Sequence, residues 1–243
     1  MNESPQPNDS TEDVAAIVLA AGTSSRMGGV DKIWVDLHGS PLIAHTLRAI
    51  ASTPGVTVLV CVAPVERHAA LAALLDGCGV EVRCVEGGAR RQDSVAAGIA
   101  AVPDAAWVIV HDGARALVTS DLAARVLAAA RAHGAAIPGV PIADTVKRVV
   151  PLDDTSGVEA VRGTIDRGPL RAIQTPQAFR GNLLRLAHAE VTADVTDDAA
   201  MVEHLGLPVV VVPGDATNIK VTTAADLAVA RTLIDQRESE REG

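Results

Sequence analysis

Short aliphatic runs recur along the chain with little polar alternation inside them, at positions 14–20, 56–62, 80–85, 107–111, 134–137 and 208–212. Between them lie alanine-rich stretches whose apolar residues return every three or four positions, at 43–51, 65–75, 94–101, 120–132, 183–189, 198–205 and 224–234. An apolar run without alternation suits a strand buried on both faces, and a period near 3.6 suits an amphipathic helix. Strands separated by helices predict a mostly parallel sheet covered on both faces, the α/β class. Cys61 lies inside the run at 58–62 and reads as core. Thr223 with Asp226 three positions later reads as a helix start with an Asp variant of the capping box.

One stretch breaks this rhythm. Residues 146–172 hold short β-prone pieces, a polar turn at 153–157 and no helical stripe. They predict a projecting β-arm, with a long surface loop as the alternative. An arm buries little of itself alone, so it points to a partner subunit. Residues 1–12, polar and carrying Pro5 and Pro7, read as a disordered N-terminal tail, and 236–243 as a flexible C-terminal tail. A single domain at 13–235 is left between them.

Composition narrows the chemistry. The chain has 243 residues, enough for one large α/β domain. It is 48% hydrophobic but contains 2 Trp, 1 Phe and no Tyr, so aromatic stacking is not its main means of holding a base. A formal charge of -9 argues against a nucleic-acid partner, though not against a small phosphorylated ligand held by locally clustered cations. Cys61, Cys78 and Cys84 form no CxxC pair and no signal segment is evident, which fits the reducing cytoplasm. No apolar run is long enough to span a bilayer, so no membrane partner is expected.

In open parallel sheets, ligands bind beyond the carboxyl ends of the strands, and polar segments follow several predicted strands here. The first holds Ala20, Ala21, Gly22, Thr23, Ser24 and Ser25, then Arg26 and Lys32. Small residues let backbone N–H groups approach phosphate oxygens, and the two cations neutralise them. The segment is neither GxxxxGK[ST] nor GxGxxG; read alone, a mobile surface loop is an equal alternative. The second holds Gly87, Gly88, Arg91 and Ser94, where a simple helix cap at Asp93 or Ser94 is the alternative. The third is HDGAR at 111–115. There Asp112 is placed to hold a divalent cation bridging phosphates, and Arg115 to grip a second phosphate. His111 reads as a structural hydrogen-bonding residue. Further polar segments surround Thr145 at the entrance to the arm, Arg167 on its return, and Asp215 to Lys220 after the last strand. No Ser-His-Asp set or histidine metal cluster can be argued from spacing.

AAGTSSRMG with Lys32, GGARRQDSV, HDGAR, DTVK, TIDRGPL followed by QTPQAF, TDDAAMVE and GDATNIKVT occur in this order. Through them the chain resembles the 2-C-methyl-D-erythritol 4-phosphate cytidylyltransferase family over residues 14–233. The resemblance implies a three-layer α/β/α nucleotidyltransferase fold with a mostly parallel, Rossmann-like sheet, and a homodimer with interlocking β-arms. It implies transfer of CMP from CTP to 2-C-methyl-D-erythritol 4-phosphate with Mg²⁺. Residues 20–28 would wrap the CTP phosphates, with Arg26 and Lys32 as catalytic cations. Residues 87–91 and Ser94 would hold cytosine and ribose. Asp112 would organise Mg²⁺ and substrate, and Arg115, Thr145 and Lys220 would line the substrate side. Arg167 would reach substrate bound to the other subunit. Asp215 is a further candidate metal contact, with loop shaping as its alternative.

Departures from the family pattern carry their own expectations. Asp31 stands where the family commonly has Pro, and is expected to weaken phosphate attraction at Lys32 unless it faces solvent. Gly113 and Ala116 stand where the family's HDAARP has its first Ala and its Pro, which should loosen that turn. A ribitol 5-phosphate cytidylyltransferase and a non-catalytic, nucleotide-binding dimer are the rival readings.

Overall fold

The computed structural model describes residues 13–22, 31–152 and 157–242. The elements begin with β1 (Val14–Leu19), a small hairpin of β2 (Asp36–Leu37) and β3 (Ser40–Pro41), α1 (Leu42–Ala51) and β4 (Val56–Val62). There follow α2 (His68–Leu74), β5 (Glu81–Val85), α3 (Arg91–Ala100), β6 (Trp107–Asp112), α4 (Ser120–His133) and β7 (Ala135–Pro141). The arm is β8 (Val146–Pro151) with β9 (Glu159–Ile165), and the chain continues through β10 (Arg171–Ile173), β11 (Gln177–Arg180), α5 (Gly181–Glu190), α6 (Asp198–His204), β12 (Val210–Pro213) and α7 (Ala224–Glu242).

The main sheet has β1 near its centre, paired in parallel with β4 on one side and β6 on the other. β5 continues beyond β4. On the far side β11 runs antiparallel between β6 and β7, and β12 pairs in parallel with β7. β10 also pairs antiparallel with β7. The sheet is thus mostly parallel with an antiparallel insertion.

Its two faces explain the missing alternation in the sequence. Val14, Ala16 and Val18 of β1 pack with Ile43 and Leu47 of α1 and with Leu122 and Val126 of α4. Ala15 and Ile17 point the other way, onto Val95 and Ile99 of α3, Leu184 of α5 and Met201 and Val202 of α6. Each fully buried Ile or Leu contributes about 1.5–3 kcal/mol, so a strand with both faces covered must be apolar throughout. A third cluster seats Leu227, Ala230 and Ile234 of α7 on Leu37, Leu42 and Leu117.

The predicted arm is a separate antiparallel pair, β8 with β9, with a register shift at Arg148 and Val149. Val149, Leu152, Val158 and Val161 are exposed on it. Of its polar turn, residues 153–156 lie outside the described residues, as does the predicted tail at 1–12. Several boundaries differ from expectation. The segment at 65–75 splits into a 3-10 turn at Val65–Arg67 and the shorter α2. α3 starts at Arg91, three residues early. The flexible tail expected at 236–243 is corrected, because residues 236–242 continue α7. Those residues have no apolar stripe, yet Arg237 anchors them by donating to the Leu117 carbonyl at 2.8 Å and Thr217 Oγ1 at 2.7 Å. Among the described residues, no helix is long and apolar enough to cross a membrane.

Candidate active site

From β1 the chain crosses to β4 on one side, and it later returns to β6 on the other. A crevice opens at the carboxyl ends of strands where the winding reverses in this way. Backbone bonds pin its floor: the Ala20 N–H donates to the Val62 carbonyl at 2.7 Å and the Gly113 N–H to the Leu19 carbonyl at 2.9 Å. The cleft above has a volume of about 530 Å³ and brings together Ala20, Ala21, Gly22, Lys32, Gly88, Arg91, Ser94, Asp112 and Lys220. Thr23, Ser24, Ser25 and Arg26 lie outside the described residues.

Gly87 and Gly88 are required by close approach. A Cβ on Gly87 would sit 2.3 Å from the Ala21 Cβ, and one on Gly88 would sit 2.3 Å from the Asp93 Cβ. The loop after β5 therefore lies directly against the loop after β1. Asp93 caps α3, its carboxylate accepting from the Arg90 N–H at 3.1 Å. Ser94 does a different job: its Oγ accepts from the Gly88 N–H at 3.1 Å and lies 3.2 Å from the Arg90 carbonyl, fastening the glycine loop to the helix.

Asp112 is the electrostatic centre. Lys220 Nζ lies 2.8 Å from Oδ2, Arg91 Nε 3.6 Å from Oδ1 and Arg115 Nε 3.9 Å from Oδ2. Burial pushes the Asp112 carboxyl up, but Lys220 and Arg91 outweigh it and hold the group at about 2. Burial likewise works against the charge on Arg91, and is outweighed by Asp198 and Asp112. For Arg115 burial prevails and lowers its pKa despite Asp112. Its Nη1 donates to the Asn218 carbonyl at 2.8 Å.

His111 plays the structural part expected of it. Thr175 Oγ1 accepts from the Asp112 N–H at 3.0 Å and is hydrogen-bonded to His111 Nδ1, also at 3.0 Å. Burial pushes the imidazole down to about 4, which leaves it neutral near pH 7.

Asp215 is not among the residues lining the cleft. Its Oδ1 accepts from the Thr217 N–H and Oγ1, both at 2.7 Å, and Oδ2 lies 3.7 Å from Arg237. It shapes the loop that leads to Lys220. Thr145 and Arg167 are exposed at the base of the arm, where Arg167 donates to the Ile142 carbonyl at 3.2 Å. Neither lines the cleft of this chain.

The departures also find a physical account. Asp31 is half-exposed and lies 3.4 Å from Arg67 Nη2, whose guanidinium carbon stands 4.9 Å above the Trp34 ring. Its negative charge is thus shared with Arg67. Gly113 does not loosen its turn, contrary to expectation: a Cβ there would lie 2.7 Å from both the Leu19 carbonyl oxygen and Ile43 Cδ1. The turn is tight because it crosses the end of β1. Sequence reasoning assigned no role to Asp198, which is 1% exposed and meets Arg91 Nη1 at 2.7 Å and His188 Nε2 at 3.0 Å. The one signal was its place in TDDAAMVE.

The family model described as 2-C-methyl-D-erythritol 4-phosphate cytidylyltransferase matches residues 14–236. A protein of that name from Streptomyces avermitilis is 41% identical, covering 98% of both chains. Another, from Nocardia farcinica, is 44% identical over 95% of this chain and 98% of its own. Among solved structures, 4-diphosphocytidyl-2C-methyl-D-erythritol synthase from Anaerococcus prevotii superposes with a TM-score of 0.80 at 27% identity, covering 93% of this chain and 99% of that one. The cytidylyltransferase from Thermus thermophilus gives 0.72 at 33% identity, covering 90% and 98%.

Proposed function

The chain belongs to the 2-C-methyl-D-erythritol 4-phosphate cytidylyltransferase family, and from that premise we propose how its cleft carries out the reaction. The enzyme transfers CMP from CTP to 2-C-methyl-D-erythritol 4-phosphate, forming 4-diphosphocytidyl-2-C-methyl-D-erythritol and pyrophosphate. The observation that carries the residue assignment is the gathering of Lys32, Arg91, Lys220 and Asp112 in one cleft of a chain whose net charge is -9, with Arg91 and Lys220 in contact with Asp112.

The substrate phosphate is already a nucleophile near neutral pH, so the site needs no strong general base. Its task is to bring two anions together and to stabilise the charge that accumulates as the phosphate attacks the α-phosphorus in line. Ala20, Ala21 and Gly22 receive the triphosphate at the end of β1. Lys32 and Arg26 neutralise the phosphates. Gly87, Gly88 and Ser94 shape the wall for cytosine and ribose, and a shape-fitted wall suits a chain with so few aromatic residues. Lys220 and Arg115 receive the attacking phosphate.

The residues present fit a divalent cation of the Mg²⁺ kind. Such ions take one or two carboxylates and complete their shell with water and substrate phosphates. Asp112 is a strongly ionised carboxylate at the phosphate end of the cleft. Among the described residues there is no preformed cluster of three or more ligands. Asp112 would hold the ion, which would supply charge neutralisation between the phosphates. Asp215 is the weaker candidate, because it does not line the cleft and its oxygens are engaged by Thr217 and Arg237.

Thr145 and Arg167 serve through a homodimer. The exposed apolar residues of the arm are covered by the second subunit, and Arg167 acts on substrate in the partner subunit's cleft. Light scattering checks the assembly: particles of one 24.9 kDa chain would overturn it. Pyrophosphate release with CTP and Mg²⁺ tests the reaction. Release with methylerythritol 4-phosphate and not with ribitol 5-phosphate is expected, and the reverse would move the activity to the ribitol substrate.

A further inference from the structure

Arg91 opens α3 and lines the cleft, yet its guanidinium is held more closely by a carboxylate outside the cleft than by the cleft's own. Its contact with Asp112 is 3.6 Å, longer than a charge-assisted hydrogen bond. Its close partner is Asp198, at 2.7 Å from Nη1. Asp198 is buried at the start of α6, and its other oxygen meets His188 Nε2 of α5 at 3.0 Å. Neither Asp198 nor His188 is among the residues lining the cleft. Two helices, α5 and α6, thus support one arginine of α3.

His188 Nδ1 is buried and has no hydrogen-bond partner among the described residues. Its Nε2 faces Asp198 Oδ1, and a carboxylate oxygen accepts, so Nε2 is the donor. Asp198 commits one oxygen to each partner. Arg91 Nη2 is buried without a hydrogen-bond partner among the described residues, so the guanidinium keeps a donor in reserve. A buried ion pair is seldom the most stabilising choice for a helix contact, since apolar residues of similar size do as well. What this pair adds is direction.

We propose that Asp198 and His188 are positioning residues for nucleotide binding: they draw the Arg91 guanidinium away from Asp112 and present its remaining donor to CTP. Without Asp198, Arg91 closes onto Asp112, and the two groups satisfy each other instead of the ligands. The inference rests on CTP being the cleft's nucleotide.

Steady-state kinetics, calorimetric CTP binding and thermal melting of the full chain test it with Asp198→Asn, His188→Leu and His188→Gln. Glutamine keeps a donor near the position of Nε2; leucine removes it. Asp198→Asn and His188→Leu are expected to raise KM and Kd for CTP about tenfold or more, with kcat and the KM for the second substrate changed less than about threefold. His188→Gln should restore CTP affinity to near that of the parent. A fall in melting temperature with CTP affinity intact would overturn the proposal and leave a purely structural contact. If Asp198→Asn fails to fold, the leucine and glutamine pair decides, because equal CTP affinity in both overturns it as well. Parent protein that binds CTP but releases no pyrophosphate would count against the assigned reaction while leaving the binding comparison decisive. Parent protein that binds no CTP would overturn both.

Discussion

Lys32 and Asp112 show how much a single side chain is asked to do. Replacing Lys32 with Ala removes a cation from the cleft where negative charge accumulates. A fall in kcat of about a hundredfold or more is expected, with the fold intact by circular dichroism. Gly87 fails differently. Gly87→Ala drives a methyl group into Ala21, so either loop must shift. It should cost about 1–3 kcal/mol in urea unfolding and weaken CTP binding at the same time. His111 and Asp112 set a shared response to acid. The His111 pKa is depressed from 6.5 to about 4, so the unfolded chain binds its proton first as pH falls. That contribution is complete above pH 6.5 and is lost between there and about 4. Asp112, lowered from 3.8 to about 2, loses its contribution below pH 3.8. Urea midpoints should therefore fall on going from pH 7 to pH 5, and the drop should shrink in His111→Gln. Ala20 and Asp112 could be read from the sequence because each stands directly at the end of an apolar run. The Arg91–Asp198 contact could not, since it joins positions 107 apart on two separate helices.

At the scale of elements, the central strands were legible because burial on both faces forbids polar residues along them. β10 and β11 were missed for the converse reason. They are three and four residues long, and they run against the direction of their neighbours. Nothing in so short a stretch announces an antiparallel insertion. α7 shows a readable start and an unreadable end. Thr223 and Asp226 form the predicted box, with the Thr223 N–H donating to Asp226 at 2.8 Å and the Asp226 N–H to Thr223 Oγ1 at 3.2 Å. The end is fixed by Arg237 reaching the turn before α4 and the loop of Asp215. Asp226→Ala should cost about 1 kcal/mol of stability, read as a lower melting temperature. Arg237→Ala should fray the last turns of α7, measured as faster amide hydrogen exchange after Ile234.

For the whole molecule, the placement of the arm matters most. It stands off the main sheet with apolar residues exposed, and the segment returning from it carries Arg167 outside the cleft of its own chain. Sequence predicted the arm because it breaks the alternation of strand and helix. In the proposed homodimer its target lies on the partner subunit, which strand and helix patterning within one chain does not reveal.

That placement has a consequence for inheritance. In the proposed homodimer, where Arg167 acts in the partner's cleft, a Lys32→Ala chain and an Arg167→Ala chain, each inactive alone, would pair to leave one site carrying both defects and one carrying neither. With random pairing, half of the dimers are mixed, so a cell or a refolded mixture holding both alleles should recover about a quarter of the parental activity. Two alleles defective at Lys32 and Lys220 should not complement, because those residues fail in the same cleft of the same chain.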